Sequence, residues 1–258
     1  MQYDAIVIGA GQAGPSLAAF FAGEGQRVAL VEGAQLGGSC VNYGCTPTKT
    51  MRASARNAYQ ARRSAEFGIH TGEVHVDLAA VMDRKNRVVD NSRTGLTQWL
   101  ESVDNLDILR GWASFDGKEG DLFRVRIGEE THTAERVYLN TGTRARILPV
   151  DGLDDVDYLD NVSLMDLREL PQQLIILGGS YIGLEMGQIF RRLGSEVTII
   201  EYSPRVASRE DEDVTQEVER IFRAEGIRLL TGHKASHVSQ TGNTITVTAE
   251  AVEGGKSV

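Results

Sequence analysis

At 258 residues, 41% of them hydrophobic, the chain carries enough apolar material for one large domain or two of ordinary size. Its 36 acidic against 27 basic residues leave a net charge of -9, which opposes a nucleic-acid backbone or an anionic membrane surface as partner. No run approaches the roughly 20 apolar residues of a spanning helix, Met1 leads almost at once into a strand where a signal segment would be apolar and longer, and two cysteines exclude a disulfide scaffold, so a cytoplasmic protein is expected.

The first element is Ala5-Ile6-Val7-Ile8, a continuous apolar run of the kind buried on both faces of a parallel sheet. It runs into Gly9-Ala10-Gly11-Gln12-Ala13-Gly14, and a helix of small residues follows through Leu17, Ala18, Ala19 and Phe21 until Gly25 ends it. Val28-Ala29-Leu30-Val31 is the next buried strand and closes on Glu32. The same unit returns at an offset of 169 residues (178 minus 9): Gly9 falls on Gly178, Gly14 on Gly183, Phe21 on Phe190, Gly25 on Gly194, Val28 on Val197 and Glu32 on Glu201. A chance glycine triplet does not repeat its strand, helix stop and acid at matching spacing, so two dinucleotide-binding units of one design are expected.

Between the copies, helices are expected from about residue 47 to 65 and from about 76 to 102, the second with Val81, Val88, Val89, Leu96 and Leu100 on an otherwise charged surface. The alternation in Phe123-Arg124-Val125-Arg126-Ile127 predicts antiparallel strands before Val137-Tyr138-Leu139-Asn140-Thr141-Gly142. Pro149 to Leu153 reads as a linker, Asp211 to Ala224 as a helix, and His233 to Ser239 and Thr244 to Glu250 as the last strands. The fold class is therefore α/β, two Rossmann-like units with parallel sheets and antiparallel strand insertions, divided as 1–148 and 149–258.

Each glycine motif has a physical task. The first glycine (Gly9, Gly178) permits the turn, the second (Gly11) lets a pyrophosphate approach the backbone, and the third (Gly14, Gly183) lets helix pack on strand. The helix start then faces the phosphates with unpaired N–H groups, and Glu32 and Glu201 are placed to accept from ribose hydroxyls. Ser180 occupies the middle glycine position of the second copy, where its Cβ crowds the approach while its hydroxyl can donate to a phosphate oxygen. A carboxylate at Glu201 suits a free 2′-hydroxyl and repels a 2′-phosphate, which favours NADH over NADPH, with Arg205 nearby as the opposing feature.

Cys40 and Cys45 lie in Gly37-Gly38-Ser39-Cys40-Val41-Asn42-Tyr43-Gly44-Cys45-Thr46-Pro47-Thr48-Lys49. Pro47 suits a first helical turn, which puts Cys45 at a helix start where the dipole favours a thiolate, with Lys49 as a nearby cation. Asn42 and Gly44 give the intervening residues the freedom to bring the two Cα atoms within disulfide reach. The residues alone leave three readings open: a redox-active pair, two buried thiols, or half of a metal site that no neighbouring His completes. His70, His75, His132, His233 and His237 show no ligand or triad spacing and read as structural or solvent-facing, so no metal site is expected.

The cysteine run resembles the active-site segment of class I pyridine nucleotide-disulfide oxidoreductases, the family of glutathione reductase, dihydrolipoamide dehydrogenase and mercuric reductase. The order of parts agrees over essentially the whole chain: an FAD glycine motif, the cysteine pair, a Thr141-Gly142 segment closing the first FAD-binding section, then the nicotinamide motif. The resemblance implies FAD in the first unit and NAD(P)H in the second. It implies that Cys40 is the thiol that meets substrate and Cys45 the one against the flavin. Lys49 and Glu185 resemble the ion pair beside the flavin ring, and Tyr181 the aromatic gate over the nicotinamide.

The same resemblance implies a small-molecule or small-thiol substrate, and a C-terminal interface domain that builds a homodimer and donates a His base to the partner. That domain has no counterpart before Val258, so weak FAD retention and little turnover are expected of the 258-residue chain. Tyr43, Thr46 and Thr48 bring the wording nearer mercuric reductase-like sequences. The competing readings are a flavin NADH oxidase or monooxygenase with the same glycine motifs, and a nucleotide-binding redox sensor.

Overall fold

The structure is a computed structural model and describes residues 1–252. The chain forms two compact units, Met1–Lys49 with Arg84–Ala145, and Thr50–Asp83 with Arg146 onward. Both are α/β, with parallel strands at the centre and antiparallel strands added, as the sequence predicts.

The first unit is built on β1 (Gln2–Ile8), α1 (Gly14–Gly23) and β2 (Val28–Glu32), followed by β3 (Leu106–Arg110), β4 (Ala113–Glu119), β5 (Leu122–Ile127) and β6 (Glu130–Leu139). Its sheet has the order β3-β2-β1-β6-β5-β4; β3, β2, β1 and β6 are parallel, while β5 and β4 are antiparallel. Side chains alternate across this sheet, so neighbouring residues of one strand serve different cores. Ala5, Val7, Val28 and Leu30 pack with Ala18 and Ala22 of α1 and with Leu100, whereas Ile6, Ala29 and Val31 pack with Tyr3, Val125, Ile127 and Ala134. Each fully buried Val, Leu or Ile contributes about 1.5–3 kcal/mol relative to exposure, and both faces are apolar because both are covered.

Three helices lie between β2 and β3: α2 (Gly38–Asn42), α3 (Cys45–Arg62) and α4 (Leu78–Glu101). The five-residue α2 has no counterpart among the predicted elements, and α3 begins two residues ahead of Pro47. A 3-10 turn at Ser64–Phe67 ends with Gly68 at φ 74°, where the chain leaves the helical direction.

The second unit contains β7 (Gln173–Leu177), α5 (Tyr181–Leu193), β8 (Glu196–Glu201), α6 (Glu212–Ala224) and β9 (Arg228–Thr231), with the parallel order β7-β8-β9. A hairpin of β10 (His233–Thr241) and β11 (Thr244–Ala251) follows. Glu225 joins the ends of α5 and α6: its carboxylate, on a side chain only 6% exposed, takes two hydrogen bonds from Arg192 and one from Gln188. The predicted linker is ordered structure: Asp151 pairs in parallel with His237, and Leu153 and Val156 are buried against Val238. Apolar side chains at Val150, Leu153 and Val156 seat this stretch on the hairpin. Among the described residues no helix is long and apolar enough to cross a membrane.

His132, on β6, is 3% exposed and lies against Tyr3 with ring centroids 5.9 Å apart; its Nδ1 has no hydrogen-bond partner among the described residues. Burial, reinforced by the N-terminal ammonium, pushes its pKa below the ordinary histidine value despite the Glu130 carboxylate 3.4 Å from Nε2. The unfolded chain therefore takes up this proton first as pH falls. The associated stability is intact above about pH 6.5 and is lost as pH drops from there toward the lowered folded value. Urea unfolding at pH 7.5 and 5.5 is expected to show a smaller drop in midpoint for His132→Gln than for the wild type; equal drops would exclude His132 as the source.

Candidate active site

The first glycine turn sits at the carboxyl ends of β1 and of its parallel neighbour β6, the end of an α/β sheet at which ligands bind. Gly9 has φ 106°, and a Cβ there would overlap the carbonyl oxygen of Asn140, the residue that follows β6. A Cβ on Gly14 would overlap the Gly9 carbonyl, so α1 starts as close to β1 as two backbones allow. Asn140 Nδ2 donates to the same Gly9 oxygen at 3.1 Å. No side chain caps α1, and Pro15 fixes its first turn, leaving the amides at its start directed outward.

Glu32 faces this turn. The Ala10 N–H donates to its Oε2 and the Ala34 N–H to its Oε1, each at 2.8 Å. Each carboxylate oxygen keeps a further lone pair for an outside donor, and the group is already oriented. Trp112 lies over the adjacent Gly33, whose absent Cβ would stand 2.6 Å from the indole, and the Arg144 guanidinium lies 5.9 Å from that ring. Thr141 and Gly142 follow Asn140 at the same end of the sheet, both exposed, with Gly142 at φ 69°.

The cysteine segment begins on top of this turn. The Gly37 N–H donates to the Ala10 carbonyl at 2.8 Å, and a Cβ on Gly38 would stand 2.7 Å from the Gly11 Cα. Two residues later Cys40 sits in α2, and Cys45 is the first residue of α3; the two are joined as a disulfide with Cα atoms 4.6 Å apart. Cys45 is exposed and Cys40 half-buried. Gly44 allows the closure, because a Cβ there would meet the Ser39 carbonyl oxygen at 2.9 Å and the Cys40 Cα at 3.2 Å. Of the three readings open from sequence, the coordinates hold the bonded pair; among the described residues no His, Cys, Asp and Glu grouping is arranged for a metal. Lys49 lies one turn after Cys45 on α3.

The second unit repeats the glycine and acid bonds of the first turn. Gly178 N–H donates to Ile200 O at 2.8 Å as Gly9 does to Val31 O at 2.8 Å. Glu201 accepts from Gly179 N–H at 2.6 Å and Ser203 N–H at 2.7 Å, and a Cβ on Gly183 would overlap the Gly178 carbonyl. Ser180 is the N-cap of α5, with an exposed side chain that makes no capping hydrogen bond. Tyr181 is 75% exposed, and Glu185 follows one turn later on the same face.

The structure thus brings Gly9, Gly11, Gly14, Glu32, Thr141, Gly142, Cys40 and Cys45 to one end of the first sheet, and Gly178, Ser180, Gly183 and Glu201 to one end of the second. Lys49 belongs to the first unit and Glu185 to the second. Trp112, Gly37, Gly38 and the side-chain role of Asn140 were not singled out by spacing. The double glycine before Ser39 is the one local signal that a close backbone approach follows.

Residues 3–257 match the family model described as pyridine nucleotide-disulphide oxidoreductase. The chain is 33% identical over 243 residues to mercuric reductase of Bacillus cereus, covering 93% of this chain and 38% of that protein. It is 34% identical over 257 residues to dihydrolipoyl dehydrogenase of Cupriavidus necator, covering 95% and 54%. The solved HOCl-induced flavoprotein disulfide reductase RclA from Escherichia coli matches with a TM-score of 0.83 at 32% identity, over 99% of this chain and 54% of that one. The chain spans about half, or less, of the length of these relatives.

Because any side chain at position 44 collides with backbone, Gly44→Ala is expected to leave a several-fold larger fraction of Cys40 and Cys45 as free thiols after equilibration in a mild thiol redox buffer. Counting alkylated cysteines by mass reads this directly, and an unchanged count would show that the loop closes without the glycine.

Proposed function

The chain belongs to the pyridine nucleotide-disulphide oxidoreductase family, a family of FAD-dependent enzymes that use NAD(P)H, and on that premise we propose that it moves electrons from NADH to the Cys40–Cys45 disulfide and on to a thiophilic acceptor. The observation that carries this reading is the bonded cysteine pair rooted, through Gly37 and Gly38, on the first glycine turn.

FAD fits the first unit on the chain's own features. Gly9, Gly14 and Gly38 keep a cradle that a Cβ would fill; the start of α1 offers donors to a pyrophosphate; Glu32 is held ready for a ribose; and Thr141 and Gly142 border the same end of the sheet. Bound there, FAD supplies a ring able to pass an electron pair between a reduced nicotinamide and a disulfide. The protein's own part begins with the S–S bond, which accepts two electrons and two protons to become two thiols. Cys45, at the start of α3 with Lys49 one turn on, is the thiol whose thiolate the helix favours. Cys40 is the partner assigned to thiol–disulfide exchange: it attacks a substrate disulfide, releases one thiol, and the second thiol leaves as Cys45 closes the pair again.

In the second unit Gly178, Ser180 and Gly183 shape the pyrophosphate turn, and Tyr181 stands exposed at its edge as the proposed nicotinamide gate. Glu201, held by two amides, presents its charge where a 2′-phosphate would lie. Arg205, the feature that opposes NADH in sequence, has its guanidinium 3.6 Å from Glu212. The Lys49–Glu185 pairing and a homodimeric assembly belong to the same proposal. Similarity at 33% to a mercuric reductase and 34% to a dihydrolipoyl dehydrogenase supports an acceptor with affinity for sulfur, a disulfide or a thiophilic metal ion, with mercuric reductase-like chemistry as the specific reading.

Anaerobic titration of the FAD-loaded protein with NADH is expected to consume two equivalents, one for the flavin and one for the disulfide, and Cys45→Ser only one. A single equivalent in the wild type would favour an oxidase or monooxygenase, and stable reduction with no acceptor turnover would favour a sensor. Glu201→Ala is expected to lower the NADH-over-NADPH preference by about tenfold, the scale of one charged contact; an unchanged ratio would remove Glu201 from cofactor choice.

A further inference from the structure

Asn42, between the two cysteines, is bonded both to the residues ahead of Cys40 and to α4. Its Nδ2 donates to the carbonyls of Gly38 at 2.9 Å and Leu36 at 3.0 Å. Its Oδ1 accepts from Arg93 Nη1 at 3.4 Å, and the same Nη1 donates to Gln35 Oε1 at 2.6 Å. Arg93 lies on α4, 51 residues from Asn42, and is itself aligned by Asp90 on the preceding turn. Leu36, whose carbonyl is one of the anchor points, is 1% exposed and part of the core. Arg93 and Gln35 line a cleft of about 370 Å³ beside this turn.

None of these bonds involves sulfur. When the disulfide opens, α2 and the start of α3 keep only the short backbone link through Tyr43 and Gly44, and how closely the two thiols face each other then depends on the non-covalent contacts that fix the turn. The geometry points to Arg93 as a positioning residue for the redox pair, acting through Asn42: it holds the Gly38–Asn42 turn in the dithiol state and keeps the effective concentration of one thiol toward the other high. This inference rests on the redox reading given above, and it assigns to α4 a part in that chemistry.

A high effective concentration favours the disulfide, so loosening the tie makes the pair easier to reduce. Wild-type protein, Arg93→Ala, Arg93→Lys, Asn42→Ala and the Arg93→Ala/Asn42→Ala double variant are equilibrated in dithiothreitol redox buffers, and the fraction of Cys40 and Cys45 in the disulfide is read by alkylation and mass. Arg93→Ala is expected to shift the dithiol–disulfide equilibrium about tenfold toward dithiol, a rise of about 30 mV. Arg93→Lys, which keeps charge and stem but not the forked donor, is expected to fall between. Because Arg93 acts through Asn42, the double variant is expected to match Asn42→Ala and not the product of the two effects. Equilibria within twofold of wild type in both Arg93 variants, or fully multiplicative effects, would overturn the assignment. Should Arg93→Ala fail to fold, Arg93→Lys against Asn42→Ala decides the same question. The wild-type NADH titration separates the two proposals: if NADH does not reduce the pair, the functional reading fails, and if it does while the variants keep the wild-type equilibrium, only the role of Arg93 fails.

Discussion

The first unit depends on a contact that only glycine permits, the start of α1 resting on the carbonyl of Gly9 through Gly14. A Cβ at that point would push helix from strand, and the displacement would spread. Ala10 would lose its bond to Glu32, Gly37 its bond to Ala10, and Gly38 its seat on Gly11. Glu32 and the cysteine segment are therefore held by the same few ångströms of backbone. This is how a glycine turn and a disulfide loop come to share one rigid base.

The second unit reproduces the turn but not its surroundings. A Cβ on Gly178 would meet nothing within 4 Å among the described residues, where one on Gly9 strikes Asn140. The difference follows from sheet order: β1 has β6 as a parallel neighbour on its other side, while β7 is the edge of its three-stranded sheet as described. The second turn is consequently more open, which is compatible with a serine in place of the middle glycine.

The repeat was readable in sequence because it consists of local signals in a fixed order: apolar runs, positive-φ glycines and an acid at constant distance. Strands buried on both faces, from Ala5 to Val7 and from Val28 to Val31, could be placed for the same reason. Features made by residues far apart were not readable. Asn140 meets Gly9 across 131 positions and Arg93 meets Gln35 across 58, and no periodicity announces either. The short α2 was invisible because its helical turn is imposed by Gly37 at φ 94° and by the bond back to Ala10, not by propensity. Pro149 to Leu153 looked like a connector from its proline and glycine, yet Leu153 and Val156 outweigh them by burying against Val238.

The ring of chain closed by Cys40 and Cys45 is short, with a sequence separation of 5. Closing so small a loop removes only about 2 kcal/mol worth of denatured-chain freedom, against the 5–15 kcal/mol that typically holds a domain together. Opening it leaves the surrounding sheet intact, because Val7, Leu30, Leu36 and their neighbours are packed without help from the sulfurs. The crosslink is thus dispensable to the architecture, a pin that can be drawn out while the building around it stands.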